Sequence, residues 1–186
     1  MERARTLRIR SVWHMKNGSL LVVNTLPKND PAVQAAIGAL TAKAETGEVM
    51  HTEDMKIQPC VGCNFCWLKT PGVCAIRDDY EALLRALLRY DTAVLIAGTA
   101  LGFLDHRAKH IVDRTLPLAT MYTHVVDGQM RHIPRYDKRF RFGLLYAGAG
   151  EREYLTYWMK RFALNLGGNS LGAFPIEEAG EVSLCV

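Results

Sequence analysis

Short apolar runs alternate with amphipathic segments along the chain. Residues 20–24 read LLVVN, a valine-rich run typical of a strand that is covered on both faces. Similar runs predict strands at residues 92–98, 140–147 and 170–175, and a weaker pattern predicts one at residues 49–55. With helices between the strands, this order predicts an α/β fold in which one parallel sheet has helices on both faces.

Helical periodicity fills the segments between these strands. The first helix is predicted to begin after Asp30, an N-cap followed by proline, and to end at Gly47. The second is predicted to begin near Asp78, which forms a capping-box pattern with Glu81. Two further helices are predicted, over residues 105–116 and 151–166.

One segment departs from this alternation. Residues 124–126 and 129–132 flank Asp127-Gly128, a pair that is typical of a two-residue hairpin turn. The pattern predicts a hairpin inserted before the fourth strand of the sheet. An irregular loop is the alternative.

Length, composition and charge narrow the class of protein. The chain has 186 residues, 49% of them hydrophobic, which predicts a single domain over residues 19–186 after a basic extension over residues 1–18. No apolar run approaches the roughly 20 residues of a membrane span. The net charge of +4 is too small to predict nucleic-acid binding. We expect the cytoplasm as its location, because the sequence shows no secretory signal.

Four of the five cysteines form the most specific motif in the chain. Cys60, Cys63, Cys66 and Cys74 have the spacing C-x2-C-x2-C-x7-C. Closely spaced thiolates suit a [4Fe–4S] cluster, whereas zinc sites more often use two separated pairs. Unliganded thiols, zinc and a regulatory thiol pair stay open as alternatives. Cys185 is not expected to take part.

A second candidate site follows the first predicted strand. Ligands of an open parallel sheet bind at the carboxyl ends of its strands, and a strand–loop–helix unit presents backbone N–H groups to a phosphate. Residues 24–33 form such a unit, and Lys28 adds a positive charge. Many α/β loops share this pattern, so the loop alone does not identify a ligand.

Three stretches of sequence together resemble a known family: residues 20–31 (LLVVNTLPKNDP), 59–84 (PCVGCNFCWLKTPGVCAIRDDYEALL) and 91–114 (DTAVLIAGTALGFLDHRAKHIVDR). The chain is similar to the flavodoxin-like flavoproteins, and within them to the NAD(P)H-dependent FMN reductases and iron–sulfur flavoproteins. This resemblance implies a three-layer fold with a five-stranded parallel sheet and FMN at its carboxyl edge. It also implies a homodimer or homotetramer.

Carried over by position, the resemblance also implies where FMN would lie. The phosphate would lie on residues 25–33 and the isoalloxazine against residues 99–103, with residues 147–150 on its other side. In cluster-bearing members the four cysteines hold a [4Fe–4S] cluster near the flavin. The implied cofactor-binding residues are Thr25, Pro27, Lys28, Val33, Thr99, Ala100, Leu101, Gly102, Phe103, Ala147 and Gly148.

The predicted function is therefore a redox function. The resemblance implies an FMN-binding, NAD(P)H-dependent reductase of the flavin or quinone type, which exchanges electrons with a small molecule or a protein. FMN carries such chemistry, so no catalytic side chain is assigned. One alternative is a non-enzymatic electron carrier. Another is a flavodoxin-fold protein without FMN, because Leu26 replaces a phosphate-binding hydroxyl and the Asp30 carboxylate competes with phosphate.

Overall fold

The computed structural model describes residues 18–184. The predicted N-terminal extension, except for its last residue, and Cys185 lie outside the described residues. No helix in the described part is long and apolar enough to cross a membrane. The strands and α-helices are β1 (Ser19–Asn24), α1 (Pro31–Thr41), β2 (Thr46–His51), α2 (Phe65–Leu68), α3 (Tyr80–Arg89), β3 (Thr92–Ala100), β4 (Phe103–Leu104), α4 (His106–Asp113), β5 (Ala119–Val126), β6 (Gln129–Pro134), β7 (Arg141–Ala147), α5 (Arg152–Asn165) and β8 (Asn169–Pro175).

Five of these strands form a parallel sheet in the order β2-β1-β3-β7-β8. When β7 and β8 are counted as the fourth and fifth strands, this is the 2-1-3-4-5 order of flavodoxin-like folds. The predicted α/β fold is confirmed. The structure adds β4, a short antiparallel partner of β3 that was not predicted. Its tight turn uses Leu101 and Gly102, whose φ angles are 53° and 78°.

The apolar run of β1 is explained by the two cores of the molecule. Successive side chains of a strand point to opposite faces of the sheet. Leu20 and Val22 pack with α1 and with the 3-10 helix Ile176–Glu181. Leu21 and Val23 pack with α3, α4 and α5 on the other face. Both faces are therefore covered, and all four residues from 20 to 23 are apolar.

The first helix ends earlier than predicted. α1 stops at Thr41, whose hydroxyl donates to the carbonyl of Ile37 at 2.8 Å. Gly47 lies inside β2 and does not end the helix. A Cβ atom added at Gly47 would lie 3.2 Å from the carbonyl oxygen of Leu20, so the glycine allows β2 to approach β1 closely.

The capping box expected at the start of α3 does not form. The carboxylate of Asp78 instead accepts hydrogen bonds from the backbone N–H of Gln58 and from the guanidinium of Arg114. The side chain of Glu81 pairs with Arg85 at 2.6 Å, one turn further along the helix. Asp78 keeps one local hydrogen bond, from the N–H of Tyr80 at 3.2 Å, and its other side-chain partners are tertiary.

The predicted hairpin is confirmed, and it is longer than the sequence indicates. β5 and β6 form a separate antiparallel pair, joined by Asp127 and Gly128. The φ angles of these two residues are 50° and 71°, both positive, as a type I′ turn requires. The side chains of Tyr122, Val125 and Met130 are exposed on its surface.

Alanine substitutions at two glycines test this description of the turn. Gly128→Ala is expected to lower the free energy of unfolding by about 1–2 kcal/mol, because a Cβ atom disfavours the left-handed conformation. Gly38→Ala, the matched control on the exposed surface of α1, is expected to raise it by about 0.5–1 kcal/mol. Urea unfolding measures both values. Equal effects at the two positions would contradict the assigned turn.

Candidate functional site

The four predicted metal ligands lie in one loop between β2 and α3. Cys60 and Cys63 are exposed, and Cys74 is half-buried. Cys66 is buried and belongs to α2, a short helix within the loop. All four are free thiols. The structure therefore leaves each of them available as a ligand.

Glycines shape the turns of this cysteine loop. Gly62 and Gly72 have φ angles of 66° and 83°, which favour glycine. At Gly72 an added Cβ atom would also lie 2.9 Å from the hydroxyl oxygen of Tyr136. The N–H of Gly72 donates to the carbonyl of Cys66 at 3.0 Å. The turn before Cys74 therefore folds back onto α2.

The four sulfurs share one neighbourhood. Burial raises the pKa of the Cys66 thiol, and the nearby thiols of Cys74, Cys60 and Cys63 raise it further. Between residues 18 and 184, no three cysteine, histidine, aspartate or glutamate side chains converge as the ligands of one metal ion would. Tetrahedral zinc needs all its sulfurs about 2.3 Å from a single ion. Each thiolate of a [4Fe–4S] cluster would bind a different iron, and four neighbouring thiols supply that number of ligands.

A buried arginine reaches the cysteine loop from the end of α4. Arg114 is 2% exposed, and its Nη2 lies 3.4 Å from the Sγ atom of Cys74. Its Nη1 donates to the carbonyl of Gln58 at 3.0 Å and to the carboxylate of Asp78 at 2.5 Å. Its Nε, on the same edge of the guanidinium as Nη2, is buried and has no hydrogen-bond partner among the described residues. A cluster held by Cys74 would bring a hydrogen-bond acceptor to that edge of the guanidinium. The unpaired Nε therefore supports the fit of these residues to a cluster.

Two adjacent aspartates close the base of the cysteine loop. Asp78 accepts from the N–H of Gln58 at 2.8 Å, and Asp79 accepts from the N–H of Lys56 at 2.7 Å. Burial raises the pKa of the Asp78 carboxyl, but hydrogen bonds from Arg114 and Gln58 outweigh it and hold the pKa below its usual value. Asp78 is therefore an ionised partner of Arg114.

The cysteine loop is also attached to the hairpin side of the molecule. The indole N–H of Trp67 donates to the carbonyl of Leu116 at 2.9 Å, and its ring lies 5.2 Å from the ring of His132. Arg135 donates to the carbonyl of Cys66 at 3.4 Å. Sequence reasoning assigned no role to Trp67, Arg135 or Arg114. The inclusion of Arg114 in the third resembling stretch was the one available signal for it.

In the loop between β1 and α1, backbone N–H groups already donate to carboxylate side chains of the protein itself. The N–H of Ala32 donates to the carboxylate of Asp30 at 2.8 Å, and the N–H of Lys28 donates to Glu53 at 3.2 Å. Backbone N–H groups of a strand–loop–helix unit are donors of the kind that bind phosphate oxygens. The backbone therefore fits a phosphate, which would have to displace both carboxylates.

Two of the predicted phosphate-binding residues have buried side chains. The hydroxyl of Thr25 is committed to the carbonyl of Ile96, to which it donates at 3.1 Å. The side chain of Val33 is fully buried in the core beneath α1, so only its backbone remains as a contact. The ammonium of Lys28 lies 2.7 Å from Asp54, and this hydrogen bond raises the pKa of Lys28. Of the other predicted contacts, Pro27 is exposed and Lys28 is half-exposed and already paired.

The two loops predicted to hold the flavin ring meet at the carboxyl edge of the sheet. The hydroxyl of Thr99 donates to the carbonyl of Ala147 at 3.1 Å, and Gly102 pairs with Gly150. The side chain of Leu101 is fully exposed at the β3–β4 turn. The two loops therefore lie side by side at this edge. The predicted placement of a flavin ring against residues 99–103, with residues 147–150 on its other side, stays a prediction.

A cavity of about 280 Å³ opens between the segment after β2 and helix α4. Glu53 lines it and also accepts the hydrogen bond from Lys28. Ile57 lines it and precedes Gln58, which Arg114 holds. The cavity thus lies between the two candidate sites and contains none of the residues predicted to bind FMN. Its lining residues are Thr52, Glu53, Met55, Ile57, Arg107, His110 and Ile111.

Sequence comparison finds relatives of one kind. No protein-family model matches the chain. An iron–sulfur flavoprotein of Methanocaldococcus jannaschii is 30% identical over 86 residues, which cover 46% of this chain and 44% of the relative. An iron–sulfur flavoprotein of Archaeoglobus fulgidus is 27% identical over 130 residues, which cover 69% and 53% of the two chains. The chain thus spans about half the length of the curated relatives it matches.

Solved structures share the fold. The NAD(P)H:quinone oxidoreductase from Methanothermobacter marburgensis matches with a TM-score of 0.61 and 12% identity, covering 91% of this chain and 92% of that protein. RosB with bound 8-demethyl-8-formylriboflavin-5′-phosphate matches with a TM-score of 0.59 and 17% identity, covering 84% and 65%. At these identities the likeness shows the fold alone. Together with the curated relatives, it confirms the predicted resemblance to flavodoxin-like reductases and iron–sulfur flavoproteins.

Proposed function

We propose that this chain is an FMN-binding redox protein, an NAD(P)H-dependent reductase of the flavin or quinone type that carries a [4Fe–4S] cluster. The observation that carries the proposal is the cysteine loop, closed around a buried arginine and attached to a flavodoxin-like sheet. The two iron–sulfur flavoproteins among the relatives support the cofactors. The quinone oxidoreductase among the structural matches supports the reaction class.

The chain's own residues would bind and orient the two cofactors. FMN, when bound, supplies the hydride and single-electron chemistry. The N–H groups of Lys28 and Ala32 would hold its phosphate in place of the two carboxylates. Residues 99–103 and 147–150 would support the ring, and the four cysteines would hold the cluster. No side chain has to act as a general acid or base in this chemistry.

The cavity beside α4 is our candidate site for the nicotinamide donor. Arg107 and His110 line it and offer N–H donors to the phosphates of NAD(P)H. Met55 and Ile57 line the same cavity and offer apolar contacts to a ring. Glu53 in its lining also accepts from the N–H of Lys28, so the cavity adjoins the loop proposed to hold the FMN phosphate.

A flavin-free iron–sulfur electron carrier is the second candidate. It is favoured by one observation, the occupation of the loop after β1 by the carboxylates of Asp30 and Glu53. In that case the cysteine loop alone would exchange electrons with a partner protein. Flavin binding and nicotinamide oxidation distinguish the two candidates.

Assembly and location complete the proposal. The resemblance implies a homodimer or homotetramer, and the exposed side chains of Tyr122, Val125 and Met130 on the hairpin would be covered by such a contact. Four free thiols suit a reducing compartment, so we place the protein in the cytoplasm.

Removing the carboxylate at the start of α1 tests the FMN site. Asp30→Ser is expected to tighten FMN binding about two- to fivefold, which corresponds to the 0.3–1 kcal/mol typical of a charge at a helix N-terminus. Serine still caps the helix, so the fold is retained. Lys28→Ala is expected to weaken binding without abolishing it. Flavin fluorescence titration of apoprotein measures the dissociation constants.

The control for this experiment removes a carboxylate at the opposite edge of the sheet. Asp91 precedes β3 and accepts a hydrogen bond from Ser19, the first residue of β1. Asp91→Ser is expected to leave FMN affinity unchanged. Weaker FMN binding by Asp30→Ser would contradict the phosphate site.

Metal analysis tests the cluster. Protein purified without oxygen is expected to contain about four irons and four sulfides per chain. Cys74→Ala is expected to lose most of this iron, because it removes the ligand that follows the longest gap in the motif. Cys185→Ala is the matched control and is expected to keep it. Zinc in place of iron, or unchanged iron in Cys74→Ala, would contradict the proposed ligand set.

Steady-state kinetics test the reductase. The FMN-loaded protein is expected to oxidise NADH or NADPH with a quinone or flavin acceptor. Arg107→Ala is expected to raise KM for the nicotinamide about fivefold, since one hydrogen bond contributes about 1 kcal/mol. Arg85→Ala removes an exposed arginine paired with Glu81 and should leave KM unchanged. Bound FMN without any nicotinamide oxidation would argue for a carrier and against the enzyme.

A further inference from the structure

We propose that Arg114 is a positioning residue for the iron–sulfur cluster and raises its reduction potential, and that the carboxylate of Asp78 acts in the opposite direction. The inference rests on the cluster of the proposed function. It concerns how the protein would set the potential at which the cluster exchanges electrons. The buried ion pair of Arg114 and Asp78 would then have a role in electron transfer, although it has none in the flavin chemistry.

The contacts of Arg114 reach both ends of the cysteine loop. Its Nη1 donates to the carbonyl of Gln58, two positions before Cys60. Its Nη2 donates to the carbonyl of Ile76, two positions after Cys74, at 3.4 Å. The guanidinium is planar and rigid, so one side chain fixes the first and the last ligand relative to each other.

The ion pair is oriented with respect to the sulfur. Arg114 presents Nη2 to the Sγ atom of Cys74 at 3.4 Å, while Asp78 binds Nη1 at 2.5 Å. The side chains of both partners are buried, with 1% and 7% exposed. Water therefore screens this pair little, and the positive end of the pair faces the ligand.

This orientation determines the direction of the effect on the potential. Hydrogen bonds to the ligand sulfurs and the net charge nearby both set the potential of an iron–sulfur cluster. One added electron makes the four-iron core more negative. Arg114 stabilises that reduced form through its charge and its hydrogen bond to Cys74, and the negative charge of Asp78 disfavours it.

Potentials of two variants test the inference without any measurement of turnover. The protein is purified anaerobically and titrated with dithionite and mediators, and the reduced cluster is followed by electron paramagnetic resonance. Arg114→Met is expected to lower the midpoint by the equivalent of a tenfold change in the ratio of reduced to oxidised cluster, about 59 mV for one electron. Asp78→Asn is expected to raise it. Arg114→Lys keeps the positive charge, so its midpoint is expected to fall less than that of Arg114→Met.

The opposite signs separate this role from a purely structural one. If the two residues were needed only for folding, both substitutions would shift the midpoint potential in the same direction. Alternatively, they would change the iron content without changing the potential of the cluster that remains. Arg89→Met removes an exposed arginine that pairs with Glu48 at 3.2 Å, and it is expected to leave the potential unchanged. Iron content and circular dichroism are measured on every variant.

Each outcome decides the matter. Shifts of opposite sign support the inference. Potentials that stay unchanged, or move together, in variants with full iron content overturn it and leave the cluster itself standing. If Arg114→Met does not retain iron, Asp78→Asn decides alone, and a lowered or unchanged midpoint overturns the inference. Wild-type protein without iron after anaerobic purification overturns both this inference and the proposed cluster.

Discussion

The positive charge of Arg114 lies in the interior, and that charge has to be met by partners from distant parts of the chain. Burying an ion without a partner costs several kcal/mol. Asp78 supplies the counter-charge, the carbonyl of Gln58 accepts a second hydrogen bond, and Cys74 receives the other edge of the guanidinium. These partners come from both ends of the cysteine loop, so satisfying one guanidinium closes the loop. Removing either member of the ion pair would leave the other as an unpaired buried charge. Such a change lowers the free energy of unfolding by about 3–5 kcal/mol.

The parallel sheet brings the remaining functional loops to one edge. Because the strands run in the same direction, the loops after β1, β3 and β7 all begin at the carboxyl edge, and the order of strands reverses between β1 and β3. The same geometry places the start of the cysteine loop, after β2, at this edge. The loop after β1 differs from a free phosphate-binding loop in one respect. The carboxylates of Asp30 and Glu53 already accept hydrogen bonds from the N–H groups that would bind a phosphate. If FMN binds at this loop as proposed, its phosphate would have to displace these two carboxylates.

Local patterns predicted most of the fold and only part of the site. The apolar runs of β1, β3 and β7 were recognisable because both faces of a parallel sheet are covered. Gly47 was misread as a helix stop, since its role depends on contact with Leu20 across the sheet. The cysteine spacing indicated a candidate metal site, but it gave no sign of Arg114, which contacts both ends of that loop. Arg114 donates hydrogen bonds to Asp78 and Gln58, which lie 36 and 56 positions earlier in the chain. Local sequence patterns do not predict contacts between residues so far apart.

A cluster next to a flavin would let two-electron and one-electron chemistry meet in one small chain. For this, the four thiols must hold iron in a redox-active form, and the spectrum of the reduced protein tests that requirement most directly. Protein purified without oxygen and reduced with dithionite is expected to give the electron paramagnetic resonance signal of a reduced [4Fe–4S] cluster, lost again on reoxidation. A preparation that shows no such signal after reduction, although it is folded and contains its four free thiols, would contradict the account.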